Sequence, residues 1–294
     1  MKIIDTFMYF NEDMILDLRL HTLDKFVSKF IICEAKFNHS GRPKKLNFDI
    51  NKFQKFKDKI EYVVVENQPS DLYIINKEQS KEIKKNKILD NAVKRENYQR
   101  NFIFKQLEKF SEDDLVIIND LDEIPNLENF AYKRKITIFK QKMFYYKLNL
   151  QYPNFYWMGS KVCKIKHLIS PQWLRNIKTK KYPFWRLDIL FDNKKYFNLG
   201  FVESGGWHFT NMMSAEKMDY KLRNFLHHLE YEESGYDLEK LKSLIKNKKV
   251  MYDHKADKKN LKKWTESVAL EKVGINNLPE YIVINKNKFE IWID

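Results

Sequence analysis

The chain has 294 residues, enough for one large α/β domain or two small ones. Its 43% hydrophobic and 15% aromatic content, with only seven glycines and seven prolines, excludes a disordered protein and long flexible linkers. A formal net charge of +14, from 54 basic against 40 acidic residues, favours polyanionic partners such as nucleic acid, anionic lipid headgroups or phosphorylated small molecules, without choosing among them.

Cys33 and Cys163 lie far apart in apolar runs, so buried free thiols are expected rather than a disulfide framework or a zinc site. The N-terminus carries no signal-peptide pattern, and no apolar run approaches the roughly 20 residues that cross a bilayer. The expectation is a soluble, cytoplasmic protein.

Residues 3–10 read as a first strand. Asn11 is placed to cap a helix that has Glu12 and Asp13 in its first turn, where the helix dipole favours acids. Ile15, Leu16, Leu20, Leu23, Phe26 and Val27 give that helix a buried face. Residues 30–34 form a second strand, followed by a turn-rich loop at 38–43, and residues 60–66 form a third. A helix is predicted over 88–110, with Ile88, Leu89, Ala92, Val93, Ile103, Leu107 and Phe110 inward and Arg95, Gln99 and Arg100 elsewhere.

Leu115-Val116-Ile117-Ile118 then reads as a short buried strand that runs into Asn119-Asp120-Leu121-Asp122-Glu123-Ile124-Pro125. Strand–helix alternation to residue 125 predicts a Rossmann-like, mostly parallel sheet flanked by helices, with ligands at the carboxyl ends of the strands. Glu12, Glu34, Glu66 and the Asp120–Asp122 pair fall at or just past such ends.

Beyond residue 130 the pattern becomes mixed. Residues 136–148 and 155–165 read as strands, 214–230 and 237–247 as helices, and 255–263 as a basic solvated segment. Residues 281–284 and 289–293 read as short strands. No repeat or linker is visible, so a single domain is expected: residues 1–125 form a nucleotide-binding half, and 126–294 an elaborated second half.

Three carboxylates within four positions repel one another unless a cation sits among them. Hard ions such as Mg²⁺ and Mn²⁺ take such oxygens and often share a substrate's phosphates. Asp120 and Asp122 project to the same side of an extended chain. A polar turn without a ligand is the competing reading of Asp-x-Asp. His208 follows Gly205-Gly206-Trp207. It either completes a metal shell or is a hydrogen-bonded histidine of a tight turn, and paired glycines there would let backbone approach a ligand. There is no Walker loop, Gly-x-Gly-x-x-Gly or Gly-x-Ser-x-Gly.

Five stretches, in order and at fitting spacing over most of residues 3–210, resemble glycosyltransferase family 17, whose best-known member adds the bisecting N-acetylglucosamine to N-glycans. They are residues 5–12 with Leu18-Arg19-Leu20, residues 30–35 with Ser40-Gly41-Arg42-Pro43-Lys44, residues 95–101, residues 119–125, and Gly206-Trp207-His208-Phe209. Asn119 stands where the family pattern usually has serine.

The resemblance implies a glycosyltransferase-A (GT-A) fold with an acceptor-side C-terminal half. It also implies a nucleotide-sugar donor (UDP-GlcNAc in the animal members), a divalent metal, Mn²⁺ or Mg²⁺, bound at the DXD motif, and inversion at the anomeric carbon. In that frame Asp122, Asp120 and His208 are the candidate metal ligands. Glu203 and Asp188 are candidates for the base, and Glu12 and Glu34 for nucleoside contacts. Arg95 and Arg100 would pair with phosphate or carboxylate. Trp157, Trp173, Trp185 and Trp207 could stack on sugar, although core packing is the stronger reading of each.

The acceptor is then a glycan or glycolipid, with the basic surface able to rest on anionic membrane and no nucleic-acid partner. A metal-dependent phosphodiesterase or nuclease would want more convergent acids. A non-catalytic nucleic-acid-binding protein would leave the acids without a role.

Overall fold

The structure is a computed structural model that describes residues 1–180, 182–183, 185–187, 191–224, 228–254 and 268–294. β1 (Ile3–Met8), α1 (Asp13–Leu23), β2 (Lys29–Ala35), β3 (Ile60–Val65), α2 (Lys81–Phe102) and β4 (Leu115–Ile118) make up the first part. β3, β2, β1 and β4 lie side by side and every pairing is parallel, as strand–helix alternation predicts. These strands are buried on both faces because apolar residues occupy both phases of their two-residue period. Phe7, Phe30 and Ile32 pack with α1 on one face, while Ile4, Ile31 and Cys33 pack with the residues after α2 on the other. Both cysteines are buried free thiols.

The remainder is β5 (Glu123–Pro125), β6 (Ile136–Phe139), β7 (Gln141–Tyr145), β8 (Leu150–Trp157), β9 (Lys161–Lys164), α3 (Pro171–Asn176), β10 (Leu199–Val202), β11 (Gly206–Thr210), α4 (Ala215–Asn224), α5 (His228–Glu233), α6 (Leu238–Lys246), β12 (Glu271–Lys272) and α7 (Glu280–Ile284). β9, β6 and β10 extend the first sheet to the order β10-β6-β9-β4-β1-β2-β3, with β9 antiparallel to both of its neighbours. β12-β8-β7-β11-β5 form a second, mixed sheet. Both sheets are therefore mixed: the first keeps parallel pairing among β1–β4 and between β6 and β10, and is interrupted by antiparallel β9, so the mostly parallel expectation fails for the second sheet. The chain passes between the sheets at β4–β5, β5–β6, β6–β7, β8–β9 and β10–β11, so each sheet contains strands of both sequence halves.

Two other readings change. α2 begins at Lys81, seven residues early, because Ser80 caps it by accepting from Ile83 N. Its buried residues are Asn91, Ala92, Gln99 and Arg100, whereas Val93 is exposed. Asn91 fixes this helix by pairing with both backbone groups of Tyr73, at 2.7 and 2.9 Å. Residues 281–284 and 289–293 are helical rather than extended, as α7 and the 3-10 turns over Lys286–Trp292. Ile282 and Phe289 are fully buried beside α1, while Ile284 and Ile291 face solvent. That is a seven-residue, two-turn spacing, not alternation.

Candidate active site

Residues 119–122 join β4 of one sheet to β5 of the other, so the carboxylates sit on the seam between the sheets. Arg19 of α1 builds this turn. Its guanidinium is fully buried, pairs twice with Asp5 at 2.7 Å, and donates to the carbonyls of Asp120 (3.3 Å), Leu121 (3.0 Å) and Glu123 (2.7 Å). Asn119 Nδ2 donates to the same Asp5 at 2.7 Å. An asparagine where the family pattern has serine thus serves as a strut. Phe209 N donates to Asp122 O at 2.8 Å and ties the turn to β11.

The three acids have separate partners. One Asp120 oxygen accepts from Arg100 at 3.0 Å and the other from Arg175 at 2.6 Å. Glu123 is fully buried; it accepts from Arg175 twice at 2.6 Å, from Asp120 N at 3.0 Å and from Trp157 Nε1. Asp122 faces His208 Nε2 at 3.5 Å. Burial alone would raise the Asp120 carboxyl, but Arg175 and Arg100 outweigh it and hold Asp120 well below the usual carboxylate range. Burial and His208 oppose each other in the same way at Asp122, which also ends lowered, while Asp122 raises His208 against the effect of burial.

A cleft of about 350 Å³ opens beside the turn, lined among others by Glu12, Lys44, Glu96, Asp120, Asp122 and Lys221. Lys221 reaches in from α4 and pairs with Glu12 at 2.9 Å. Glu12 thus stands in the cleft. Glu34 is instead an anchor for the loop after β2: its buried carboxylate accepts from Lys44, Asn47 N (2.9 Å), Phe48 N (3.1 Å) and Tyr62 OH (2.8 Å). Arg95 braces that loop, donating to Gln68 at 2.6 Å and His39 O at 3.3 Å. Arg100, buried, holds Asp120, Glu96 and Gln172. Glu203 is exposed and bound to Lys140 at 2.8 Å, away from the cleft lining. Asp188 and the basic run at 255–263 lie outside the described residues.

Gly205 and Gly206 serve chain packing. A Cβ on Gly205 would lie 2.4 Å from Lys140 N, and one on Gly206 (φ +113°) 2.2 Å from Ile124 O. Trp157 stacks on His208, with ring centroids 4.9 Å apart. Trp173 is buried and donates to Asn193 O, Trp207 donates to Asn277 O, and Trp185 projects outward.

Among the described residues, no three His, Cys, Asp or Glu side chains are grouped to hold an ion by themselves. Asp122 offers a carboxylate on the cleft wall, and the imidazole nitrogen of His208, itself outside the cleft lining, lies 3.5 Å from it. That donor set fits a hard divalent ion that keeps waters and takes further oxygens from a diphosphate. His208 Nδ1 is buried without a partner. Asp120 fits less well, because each of its oxygens already holds a guanidinium.

Arg175 and Lys221 carried no signal in the sequence. Arg175 lies 52 residues from Glu123, and Lys221 lies 209 from Glu12.

An α/β fold with acids on a cleft at strand ends suits an enzyme that handles a phosphorylated substrate, and residues 1–292 match the family model Glycosyltransferase family 17. The protein is a glycosyltransferase, with a sugar donor and a glycan acceptor, so the nuclease and nucleic-acid-binding alternatives fall. The chain belongs to glycosyltransferase family 17. No curated protein matches it. Among the described residues no helix is long and apolar enough to cross a membrane.

Proposed function

We propose that this enzyme is a GT-A-type, metal-dependent, inverting transferase that moves N-acetylglucosamine from UDP-GlcNAc to a glycan or glycolipid, with residues 1–125 supplying most of the donor side. The observation that carries the reading is Asp122, paired with His208, on the wall of a cleft that also holds Lys221. Asp122 and His208 would hold Mn²⁺ or Mg²⁺, which when bound neutralises charge on the departing diphosphate. Lys221 and Lys44, which also line the cleft, would pair with the same phosphates.

In this proposal Asp120 is not a ligand. It fixes Arg100 and Arg175 at the edge of the donor, where they hold a position without being free to reorganise. A base near the acceptor hydroxyl completes an inverting transfer. Asp188 keeps that role because Glu203 is engaged by Lys140, and Asp188→Asn should lower kcat roughly 10²-fold or more while donor affinity stays.

The test is a screen of nucleotide sugars with Mn²⁺, reading release of the nucleoside diphosphate in the absence of acceptor. Turnover of UDP-GlcNAc above other donors is expected. Turnover confined to non-uridine donors, or unaffected by chelation, contradicts the proposal.

A further inference from the structure

Between α3 and β10 the described residues of the segment 178–197 join neither sheet. Its base is tied down. Lys178 N donates to Lys194 O at 2.8 Å, and Trp173 Nε1 of α3 donates to Asn193 O at 2.8 Å. Within this segment four large apolar side chains are exposed: Trp185 at 68%, Leu187 at 71%, Phe191 at 90% and Phe197 at 57%. Such a group marks a surface meant to be covered.

The charge around it indicates by what. Residues 178–197 hold six basic against two acidic residues, a net +4. Among the described ones, Lys178, Lys180, Arg186 and Lys194 are exposed, and Asp192 is neutralised by Lys195 at 3.2 Å. Two copies of this chain meeting at this segment would bring two such charges together, which disfavours a self-interface. Indole, phenyl and leucyl side chains among lysines match the boundary of an anionic bilayer. There the apolar groups enter the headgroup region and the cations stay over phosphate. A second exposed apolar run among the described residues, Tyr73, Ile74, Ile75 and Ile83, lacks this match because Asp71, Glu78 and Glu82 intersperse its lysines. Position matters as well: three residues before the segment, Arg175 reaches Asp120 and Glu123.

We propose that residues 178–197 seat this glycosyltransferase on an anionic phospholipid surface, with Trp185, Leu187 and Phe191 inserted and Lys178, Lys180, Arg186 and Lys194 over the headgroups. This deepens the glycolipid part of the reading above, because a bilayer docked here lies beside the site. Vesicle binding itself needs neither donor nor metal, so its failure is separable from failure of the donor assignment.

The test is co-sedimentation of the full chain with phosphatidylcholine vesicles, with and without phosphatidylglycerol, at low and high salt. Wild type should prefer the anionic vesicles at least tenfold and lose them at high salt. The combined Trp185→Ser, Leu187→Ser, Phe191→Ser variant should bind more than tenfold more weakly. Lys178→Ser with Lys194→Ser should lose roughly fivefold per charge. Both variants should melt where wild type does, since every altered side chain is exposed. Three results would each overturn the proposal: wild type indifferent to lipid charge, an apolar variant that binds as wild type does, or an apolar variant that converts a dimer to a monomer in light scattering.

Discussion

Arg175 and Arg100 divide the oxygens of Asp120 between them, which leaves Asp122, with His208 at its side, as the carboxylate open to the cleft. The two aspartates should therefore fail differently. Asp120→Asn strips a charge from two buried guanidiniums and should cost about 1–3 kcal/mol of stability in urea titrations, while Mn²⁺ still binds. Asp122→Asn should do little to stability and abolish the response to Mn²⁺.

A second residue-scale prediction concerns Lys161, whose ammonium caps α3 by donating to Arg175 O and to Ile177 O at 2.7 Å. Burial, and then Arg175, push its pKa down to about 7. Unfolded lysine keeps its proton to about pH 10.4. Between those values the unfolded chain binds more protons, so this group makes stability rise with pH across that window. Lys161→Met removes the effect. Its stability relative to wild type should be greatest near about pH 6 and fall toward about pH 10; a pH-independent difference in urea midpoints would contradict this. The carboxylates were legible because three acids at the end of an apolar run are a local pattern. Arg175, Lys221 and Lys161 were not, because nothing adjacent to them in the chain betrays a partner so distant in sequence.

At the scale of elements, the turn between β4 and β5 is positioned by α1. Arg19→Met leaves Asp5 buried without its cation, and breaking such a pair costs about 3–5 kcal/mol. The variant should melt well below wild type, and a shift of only a degree or two would argue against the strut. Gly159 is the tight spot beneath the site, since an added Cβ would stand 1.9 Å from Glu123 Oε1. Gly159→Ala should displace Glu123 from Arg175, costing about 1–3 kcal/mol and lowering turnover. Strands 1 to 4 were readable from β-branched apolar runs. α2 was misjudged because its buried side is polar and is held by Asn91, Gln99 and Arg100. The C-terminal segment was misjudged because Tyr281-Ile282-Val283-Ile284 has strand-like composition but packs by helical spacing against α1.

In the whole molecule, the described chain crosses five times between the two sheets, and the β4–β5 crossing lines the cleft. Such crossing between sheets is invisible in sequence, because it depends on which strand edges meet rather than on any strand's own pattern. The C-terminal segment closes the outer face of α1. Leu278, Ile282 and Phe289 are buried there, and Trp292 O accepts from Leu148 N at 2.8 Å. Each such side chain is worth about 1.5–3 kcal/mol. Against a typical total of about 5–15 kcal/mol, deleting residues 274–294 should remove most of the stability. The truncated chain should lose cooperative melting, and a sharp transition near that of wild type would refute this packing role.

The most direct measurement of the central claim is the shift in melting temperature produced by UDP, with and without Mn²⁺, in wild type and Asp122→Ala. Ligand that binds only the folded chain raises stability in proportion to ln(1 + [L]/Kd). Wild type should be stabilised by UDP with Mn²⁺ far more than by either alone, and Asp122→Ala should melt like unliganded wild type whatever is added. An Asp122→Ala protein that still responds to UDP and Mn²⁺ together as wild type does would contradict the account.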